Sequence, residues 1–436
     1  MKILFISLGC DKNLADSEEM LGLLTGNGFE IVDDETEAEA IVVNTCCFIN
    51  DAKEESVNTI LEMAEYKKTG SCKVLVVTGC MAQRYKNEII EEVPEVDAVL
   101  GTTSYGDILK AIREAMEGKH FQEFKDIDYL PEKLGKRVLT TGGHFGYLKI
   151  AEGCDKHCTY CIIPYARGPV RSLSLEQAVE QTRQLAAEGY REIVLTGIEI
   201  SSWGHDFKNG QSLIDLLEAL SAAAPEVRLR LGSLEPRTVT EDFCRRAAAL
   251  PNLCPQFHLS MQSGCDATLK RMNRKYDTAR YLESVELLNR WFDRPAVTTD
   301  LITGFPEETE EEFAQTLDFI RKCRFAQMHI FPYSIRPGTP AAKMEQVPKA
   351  VKEERARRAA AVAEEMHRSY LEGCVGRTYP VLFEQPKNGK FFGHAPNYME
   401  VLVDGAELHN ALRTVRITDV DGEALLGEIV EQEAET

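Results

Sequence analysis

Residues 146–161 read GYLKIAEGCDKHCTYC, in which a short apolar strand runs into three closely spaced cysteines. Cys154, Cys158 and Cys161 have the spacing C-x3-C-x2-C. A structural zinc site takes four protein ligands, and a 4Fe-4S cluster that is held by protein alone takes four thiolates. Three cysteines are one short of either set, so a 4Fe-4S cluster in this loop would leave one iron without a protein ligand.

The composition limits the partners and the compartment. The 436 residues include 70 Asp and Glu against 50 Lys and Arg, so the net charge of -20 gives no general affinity for nucleic acid. The apolar run in MKILFISLGC is too short for an export signal or a membrane span. Thirteen cysteines without an export signal indicate metal ligands or buried thiols in a reducing compartment. We therefore expect a cytoplasmic protein with no membrane partner.

A second set of cysteines lies in the first 118 residues, where short apolar runs alternate with amphipathic segments. This alternation predicts a parallel α/β sheet. Cys10, Cys46 and Cys80 each follow one of these runs. Because ligands collect at the carboxyl ends of strands in open α/β sheets, the three thiols should converge. One cysteine at a strand end would be ordinary packing, but three at equivalent ends favour a second ligand set.

The rest of the chain predicts two further domains, within an overall α/β fold class. Residues 119–143 contain Pro131 and several glycines and are interpreted as a linker. Residues 144–367 hold six strand-helix repeats, which predict a partial (βα)6 barrel with its chemistry at the strand carboxyl ends. Residues 368–436 predict a small antiparallel β-barrel of the kind used to bind RNA. Residues 1–118 form the N-terminal domain.

Taken together, these motifs resemble the radical S-adenosylmethionine (SAM) superfamily and, over the whole chain, its methylthiotransferases. That family is similar in placing a three-cysteine cluster domain before the radical SAM barrel and a TRAM domain after it. The resemblance implies insertion of sulfur and a methyl group at a C–H carbon, with SAM completing the open iron and a donor such as flavodoxin or ferredoxin supplying electrons. It implies two 4Fe-4S clusters, one on Cys154, Cys158 and Cys161 and the other on Cys10, Cys46 and Cys80.

The resemblance also implies cofactor contacts at Tyr160, between the last two cysteines, at Gly197 and at Gly304. Glu307, in DLITGFPEET, stands where the family usually has glycine. The sequence identifies no catalytic residue beyond the cluster ligands. Three arginines could grip a phosphate or a carboxylate: Arg167, Arg171 and Arg336.

Two resemblances disagree about the substrate. Residues 1–161, with SLGCDKNLADSE, are similar to the enzymes that methylthiolate an aspartate of a small-subunit ribosomal protein. Residues 162–436, with IIPYARGPVRS and FPYSIRPGTPAA, are similar to the tRNA threonylcarbamoyladenosine methylthiotransferases. This combination suggests a natural fusion or two sequences joined during assembly.

Because the barrel and tail supply most of the substrate cavity, we predict that the substrate is the tRNA anticodon stem-loop, modified at C2 of threonylcarbamoyladenosine. Arg336 would suit a phosphate, although 12 acidic against 5 basic residues from Tyr370 onward oppose it. The alternative is the β-carbon of an aspartate in ribosomal protein S12. A non-enzymatic iron-sulfur protein, such as an electron carrier or a redox-sensing RNA binder, would need the same thiols but no such barrel.

Overall fold

The structure, a computed structural model, describes residues 1–129, 137–387, 389–405 and 407–430. These residues form two compact units. The first unit comprises residues 1–140, 151–171 and 334–339, and the second comprises residues 141–150, 172–333 and 340–436. The domain boundaries expected from the sequence stay a prediction.

The first unit is built on one parallel sheet. Its strands are β1 Lys2–Ser7, β2 Glu30–Ile31, β3 Ala40–Thr45, β4 Val74–Gly79, β5 Ala98–Leu100 and β6 Phe121–Glu123. Their order across the sheet is β2-β1-β3-β4-β5-β6, and every neighbouring pair is parallel. The predicted N-terminal parallel α/β arrangement is therefore confirmed.

Apolar side chains cover both faces of this sheet. Along β3, Ala40 and Val42 enter one hydrophobic cluster, and Ile41 and Val43 enter another. Burial of both faces explains why the strand is an almost continuous apolar run and does not alternate with polar residues. The helices of this unit are α1 Asp11–Gly26, α2 Asn50–Thr69, α3 Cys80–Tyr85, α4 Asn87–Glu92, α5 Ile108–Met116 and α6 Ile163–Arg167.

The segment interpreted as a linker contains structure that the sequence analysis did not predict. Residues 121–123 form β6, whose Phe121 packs against the same cluster as Val42. Beyond residues 130–136, Pro131 included, which lie outside the described part, Arg137 pairs with the buried carboxylate of Glu18 at 2.5 Å. Polar residues around this short strand hide its periodicity in the sequence, which is why the sequence analysis did not predict it.

The predicted barrel strands lie in the second unit, apart from residues 151, 152 and 171, which belong to the first. They are β7 Phe145–Glu152, β8 Arg171–Ser172, β9 Glu192–Gly197, β10 Arg228–Leu231, β11 Ser233–Leu234, β12 Gln256–Leu259, β13 Ala296–Thr303 and β14 Gln327–Pro332. The six predicted repeats correspond to β7, β9, β10, β12, β13 and β14. They lie in two four-stranded sheets, ordered β10-β9-β7-β8 and β11-β12-β13-β14. The partial (βα)6 barrel is thus confirmed as a fold, with its strands divided between two sheets.

Helices follow the strands as the repeat requires. They are α7 Leu175–Ala187, α8 Leu213–Ala223, α9 Glu241–Ala247, α10 Asp266–Arg271, α11 Thr278–Trp291, α12 Glu310–Cys323 and α13 Lys349–Glu372. Helix α12 begins at a capping box, in which Thr309 and Glu312 satisfy each other's backbone N–H groups. Such local signals explain why the strand-helix alternation was visible in the sequence.

A closed five-stranded barrel ends the described chain. Its strands are β15 Thr378–Lys387, β16 Lys390–His394, β17 Glu400–Val403, β18 Leu412–Asp421 and β19 Ala424–Ile429, in the order β15-β16-β17-β19-β18. The pairing is antiparallel except between β17 and β19, which are parallel. The predicted small β-barrel is confirmed, and this parallel pair is one step of its closure.

A buried ion cluster fixes this barrel to β9 and β10. Glu192, which is 3% exposed, accepts from Arg228 at 2.6 Å and from Arg230 at 2.8 Å. Although burial opposes its charge, Arg230 and Arg228 hold the pKa of Glu192 down at about 2. Arg228 also donates to the carbonyl oxygens of Pro380 and His394 in the barrel. Arg228 therefore links the C-terminal barrel to β9 and β10, while the carboxylate of Glu192 is paired with both arginines.

Within the described part of the chain, no helix combines the length and the apolar character that crossing a membrane requires.

Candidate functional site

Three cysteines lie at the carboxyl ends of three adjacent strands in the first unit. Cys10 follows β1, Cys46 follows β3, and Cys80 follows β4 as the first residue of α3. Cys46 and Cys80 are 6% and 8% exposed, whereas Cys10 is exposed. The sheet order therefore brings the three predicted thiols to one edge of the sheet, as the parallel topology requires.

Two glycines bring the strand ends close together. Gly9 has φ +94°, and a Cβ there would lie 2.8 Å from Cβ of Cys46. Gly79 also has φ +94°, and its added Cβ would lie 2.3 Å from Oδ1 of Asn44 and 2.5 Å from the carbonyl oxygen of Thr45. Each glycine precedes a cysteine, so close backbone approach sets the position of that cysteine.

The buried side chain of Asn13 connects these strand ends. Its Nδ2 donates to the carbonyl oxygens of Leu8 and Thr45, both at 2.9 Å. Its Oδ1 lies 3.7 Å from Sγ of Cys80. One amide therefore contacts the ends of β1 and β3 and the thiol that follows β4.

Arg167 is the most buried cation at this site, with 1% exposure. Its Nε donates to Sγ of Cys80 at 3.3 Å, and its Nη2 donates to Oδ1 of Asn13 at 2.5 Å. Its Nη1 donates to Asp16 at 2.9 Å and to Glu152 at 2.8 Å. Burial opposes the charge, but Cys80 and both carboxylates raise the pKa of this guanidinium. Arg167, which was predicted to bind a phosphate or a carboxylate, thus binds two carboxylates of its own chain.

Burial and neighbouring charge act on the thiols. Burial raises the pKa of the Cys80 thiol to about 12, while Arg167 lowers it and Cys10 raises it. Burial also raises the pKa of Cys46, and the nearby Cys10 adds to that shift. Thiols with raised pKa values are held protonated in the free protein, so binding a metal at this site would release protons.

The other three cysteines lie in the loop that follows β7, and this loop belongs to the first unit. The backbone N–H of Cys154 donates to the carbonyl oxygen of Gly168 at 2.9 Å, and that of Cys161 donates to Cys158 at 3.0 Å. Gly153 has φ +73°, and a Cβ there would lie 1.8 Å from the carbonyl oxygen of Pro169. The start of the loop, at Gly153 and Cys154, therefore packs against the backbone of residues 168 and 169.

The other two predicted anion-gripping arginines are used within the fold. Arg336, which is 7% exposed, donates to the carbonyl oxygen of Phe48 at 2.5 Å and to that of Tyr160 at 2.9 Å. Arg171 donates to the carbonyl oxygens of Arg167 and Pro169. These buried bonds to the backbone contradict the expectation that Arg336 meets a substrate phosphate.

The two cysteine triads have the donor type of an iron-sulfur cluster. Among the described residues, no three histidine, cysteine or carboxylate groups lie close enough to hold one metal ion. The irons of a 4Fe-4S cluster occupy separate corners of a cube, so its thiolates stand further apart than ligands of one ion. Each triad also offers thiols alone, which is the donor type that such clusters use.

The predicted cofactor contacts lie in three different segments of the chain. Tyr160 is buried, and Gly197 is the buried last residue of β9. Gly304 has φ +63°, and its added Cβ would lie 2.4 Å from Cγ of Lys352. A protein side chain thus explains the need for glycine at 304, and its contact with a cofactor stays a prediction, as do those of Tyr160 and Gly197.

Glu307 adopts a left-handed conformation with φ +63°, which explains why glycine is usual there. We expect Glu307→Gly to raise the free energy of unfolding by about 1 kcal/mol, because strain at a positive φ outweighs the added freedom of the unfolded chain. Urea denaturation of the metal-free protein measures this change. Glu311→Gly, in the first turn of α12, is the control and should lower stability by about 1 kcal/mol. Equal losses in both variants would contradict the strain at Glu307.

Sequence reasoning missed four polar residues that hold this site: Asn13, Asp16, Glu18 and Glu152. Their burial, within α1 and at the end of β7, is visible only in the structure. The first three lie on the helix that follows Cys10, and a sequence alone gives no direction in which to place their side chains.

Two family models match the chain. One, described as the uncharacterized protein family UPF0004, matches residues 2–101. The other, described as the radical SAM superfamily, matches residues 148–320. The first match covers the strand-end cysteines, and the second covers the C-x3-C-x2-C loop and most of the barrel strands.

Curated relatives align over nearly the full length. The ribosomal protein uS12 methylthiotransferase RimO of Lachnoclostridium phytofermentans is 46% identical over 404 residues, covering 91% of this chain and 92% of that protein. The protein of the same name from Alkaliphilus oremlandii is 39% identical over 402 residues, covering 92% of this chain and 90% of that protein. A match of that extent runs across residue 161, so both sides of the suspected junction are similar to proteins of one name.

Among solved structures, the radical S-adenosylmethionine methyltransferase TsrM from Kitasatospora setae, with cobalamin and a 4Fe-4S cluster bound, has a TM-score of 0.57 to this chain. The alignment covers 90% of this chain and 80% of that chain, at 14% identity. At that identity the likeness concerns the fold alone.

Proposed function

Because the chain belongs to the radical SAM methylthiotransferase family, we propose that it transfers a methylthio group to an aspartate of ribosomal protein uS12. The family predicted from the sequence is confirmed. The substrate is the alternative of the sequence analysis, and the comparisons favour it over the tRNA that was predicted first.

The enzyme uses SAM and two 4Fe-4S clusters. When bound, these cofactors supply a radical that takes hydrogen from an unactivated carbon, and the sulfur and methyl group that replace it. Cys154, Cys158 and Cys161 would hold the cluster that binds SAM, and Tyr160, Gly197 and Gly304 would lie near that cofactor. The other cluster would be held by Cys10, Cys46 and Cys80.

The observation that carries the choice of substrate is the extent of the likeness to uS12 methylthiotransferases. It covers 91% of the chain at 46% identity, and the protein of the same name from Acetivibrio thermocellus is 36% identical over 99% of the chain, so the likeness includes the barrel and tail on which the tRNA prediction rested. The motifs that suggested tRNA are short stretches of sequence, such as IIPYARGPVRS. A likeness over the full length outweighs them.

The charge of the C-terminal region supports a basic protein as substrate. From Tyr370 onward the chain has 12 acidic and 5 basic residues. Three of the basic residues are already in ion pairs, Arg377 with Asp293, Lys387 with Glu400 and Lys390 with Asp404, at 2.8, 2.7 and 2.9 Å. Binding to phosphate needs free, clustered cations, whereas an acidic surface attracts a basic ribosomal protein.

The substrate is tested by expressing the full chain in a bacterial strain that lacks its own tRNA and uS12 methylthiotransferases. We expect the uS12 aspartate to gain the mass of one methylthio group while tRNA nucleosides stay unmodified, because barrel and tail must bring the target carbon within reach of the radical. Mass spectrometry of uS12 peptides and of digested tRNA measures both products in the same cells.

The Cys80→Ala variant is the control, since it should lack one cluster and modify neither substrate. Modified threonylcarbamoyladenosine beside unmodified uS12 would overturn the proposal and restore the tRNA prediction. The electron donor and the cytoplasmic location stay predictions.

A further inference from the structure

Arg167 stands out among the buried charged groups because one of its nitrogens contacts a proposed cluster ligand. Its Nε faces Sγ of Cys80, and its Nη1 faces the carboxylates of Asp16 and Glu152. All of these residues belong to the first unit. The proposed function assigns no role to this guanidinium.

We propose that Arg167 is a positioning residue that raises the reduction potential of the cluster on Cys10, Cys46 and Cys80. It does so by placing an N–H donor and a permanent positive charge on the Cys80 thiolate. The inference rests on the ligand assignment made under the proposed function, and it goes beyond it by naming a residue that sets the electronic state of one cluster.

The physical argument concerns the electron that reduction adds. Reduction makes a cluster and its thiolates more negative, so hydrogen bonds to sulfur and nearby positive charge stabilise the reduced form. Arginine keeps its proton at every pH at which the protein is folded. At 1% exposure water screens the interaction little, so the charge of Arg167 acts strongly on Sγ of Cys80.

The two carboxylates orient the guanidinium without replacing it at the sulfur. Both contact Nη1, while the N–H that meets Sγ is on Nε. Asn13 accepts from Nη2, so each of the three nitrogens has an acceptor and the fork cannot rotate freely. The group in direct contact with the Cys80 sulfur is therefore the cation, held in one orientation.

The same residue also anchors the loop of the other cluster. Glu152 lies two residues before Cys154, and α6, which ends at Arg167, begins two residues after Cys161. Loss of activity on changing Arg167 would therefore not separate an electronic role from a structural one. A reduction potential does separate them.

The experiment uses the full chain with Cys154, Cys158 and Cys161 changed to Ala, so that one cluster gives the whole electron paramagnetic resonance signal. Its midpoint potential is measured by redox titration in this parent, in Arg167→Lys and in Arg167→Gln. We expect Arg167→Gln to disfavour reduction at least tenfold, a shift of about 59 mV to more negative potential for one electron. Arg167→Lys should shift it less, because an ammonium keeps the charge but not the fork.

Arg171→Gln is the matched control, since it removes a buried guanidinium that donates to carbonyl oxygens of the same segment. It should leave the midpoint potential unchanged. An unchanged potential in Arg167→Gln, or an equal shift in Arg171→Gln, overturns the inference.

If Arg167→Gln fails to fold because Asp16 and Glu152 lose their partner, the double variant Arg167→Gln, Glu152→Gln is compared with Glu152→Gln alone, and the same shift is expected. A parent that binds no cluster rejects the ligand assignment, and this inference with it. If the parent binds a cluster and every variant has the same midpoint potential as the parent, this inference is rejected and the ligand assignment stands.

Discussion

Changing Cys10, Cys46 and Cys80 together to Ala should halve the iron in anaerobically reconstituted protein, from about eight to about four atoms per chain. The three thiols lie at adjacent strand ends and offer one cluster its protein ligands, so their loss removes that cluster and leaves the other. After reduction with dithionite, the variant should still cleave SAM to 5'-deoxyadenosine but form no methylthio product. Iron analysis and chromatography of the SAM products measure the two effects.

A control for this experiment changes Cys244, Cys254 and Cys323, three buried cysteines of the second unit, to Ala. That variant should keep about eight irons, since these thiols have no ligand spacing. About four irons in the unmutated protein would contradict a second cluster. Loss of SAM cleavage in the first variant, with its remaining cluster intact, would contradict the separation of radical formation from sulfur delivery.

The second large effect is expected at Gly79. An Ala there would bring Cβ within 2.3 Å of Oδ1 of Asn44, at φ +94°, a conformation that is nearly confined to glycine. Strain and overpacking together should lower the free energy of unfolding by about 3 kcal/mol or more. The cysteine that follows must then shift, so the variant should also lose most of the iron of the cluster on Cys80. Urea denaturation and iron analysis report on the two consequences.

Gly28 provides a matched control in the same unit, because its φ is +80° and a Cβ there would meet nothing within 4 Å. Gly28→Ala should cost about 1 kcal/mol through backbone strain and leave the iron content unchanged. If both variants lost the same stability and kept their iron, close approach at Gly79 would not be what positions Cys80.

Periodicity along the chain was enough to predict where the cysteines lie. Each apolar run before Cys10, Cys46 and Cys80 is one strand of a parallel sheet, and parallel strands end at one edge. That shared edge follows without the strand order, whereas the closeness of the three thiols depends on β1, β3 and β4 being neighbours. The six barrel repeats were predicted for the same reason, since each pairs a short apolar strand with an amphipathic helix.

The residues that hold the site in place could not be predicted in this way. Arg167 contacts Asp16 and Cys80, which lie far from it in the chain, and no local sequence pattern predicts such a long-range contact. A positive φ is equally invisible in a sequence, which shows Glu307 only as a departure from the family pattern. The comparisons favour uS12 over the tRNA that was predicted first, and the reason is related, because short motifs identify the common chemistry and not the substrate.

The first unit is discontinuous, and this has a consequence for when the protein can mature in the cell. Asn13 and Cys80 are synthesised early, but Arg167 comes later, and Arg336, which binds the backbone at Phe48 and Tyr160, comes three quarters of the way along the chain. At about 5–20 residues per second, the ribosome needs tens of seconds to supply that last piece. The cysteines therefore emerge well before the rest of their unit is complete, and the nascent chain must keep its thiols reduced during that interval.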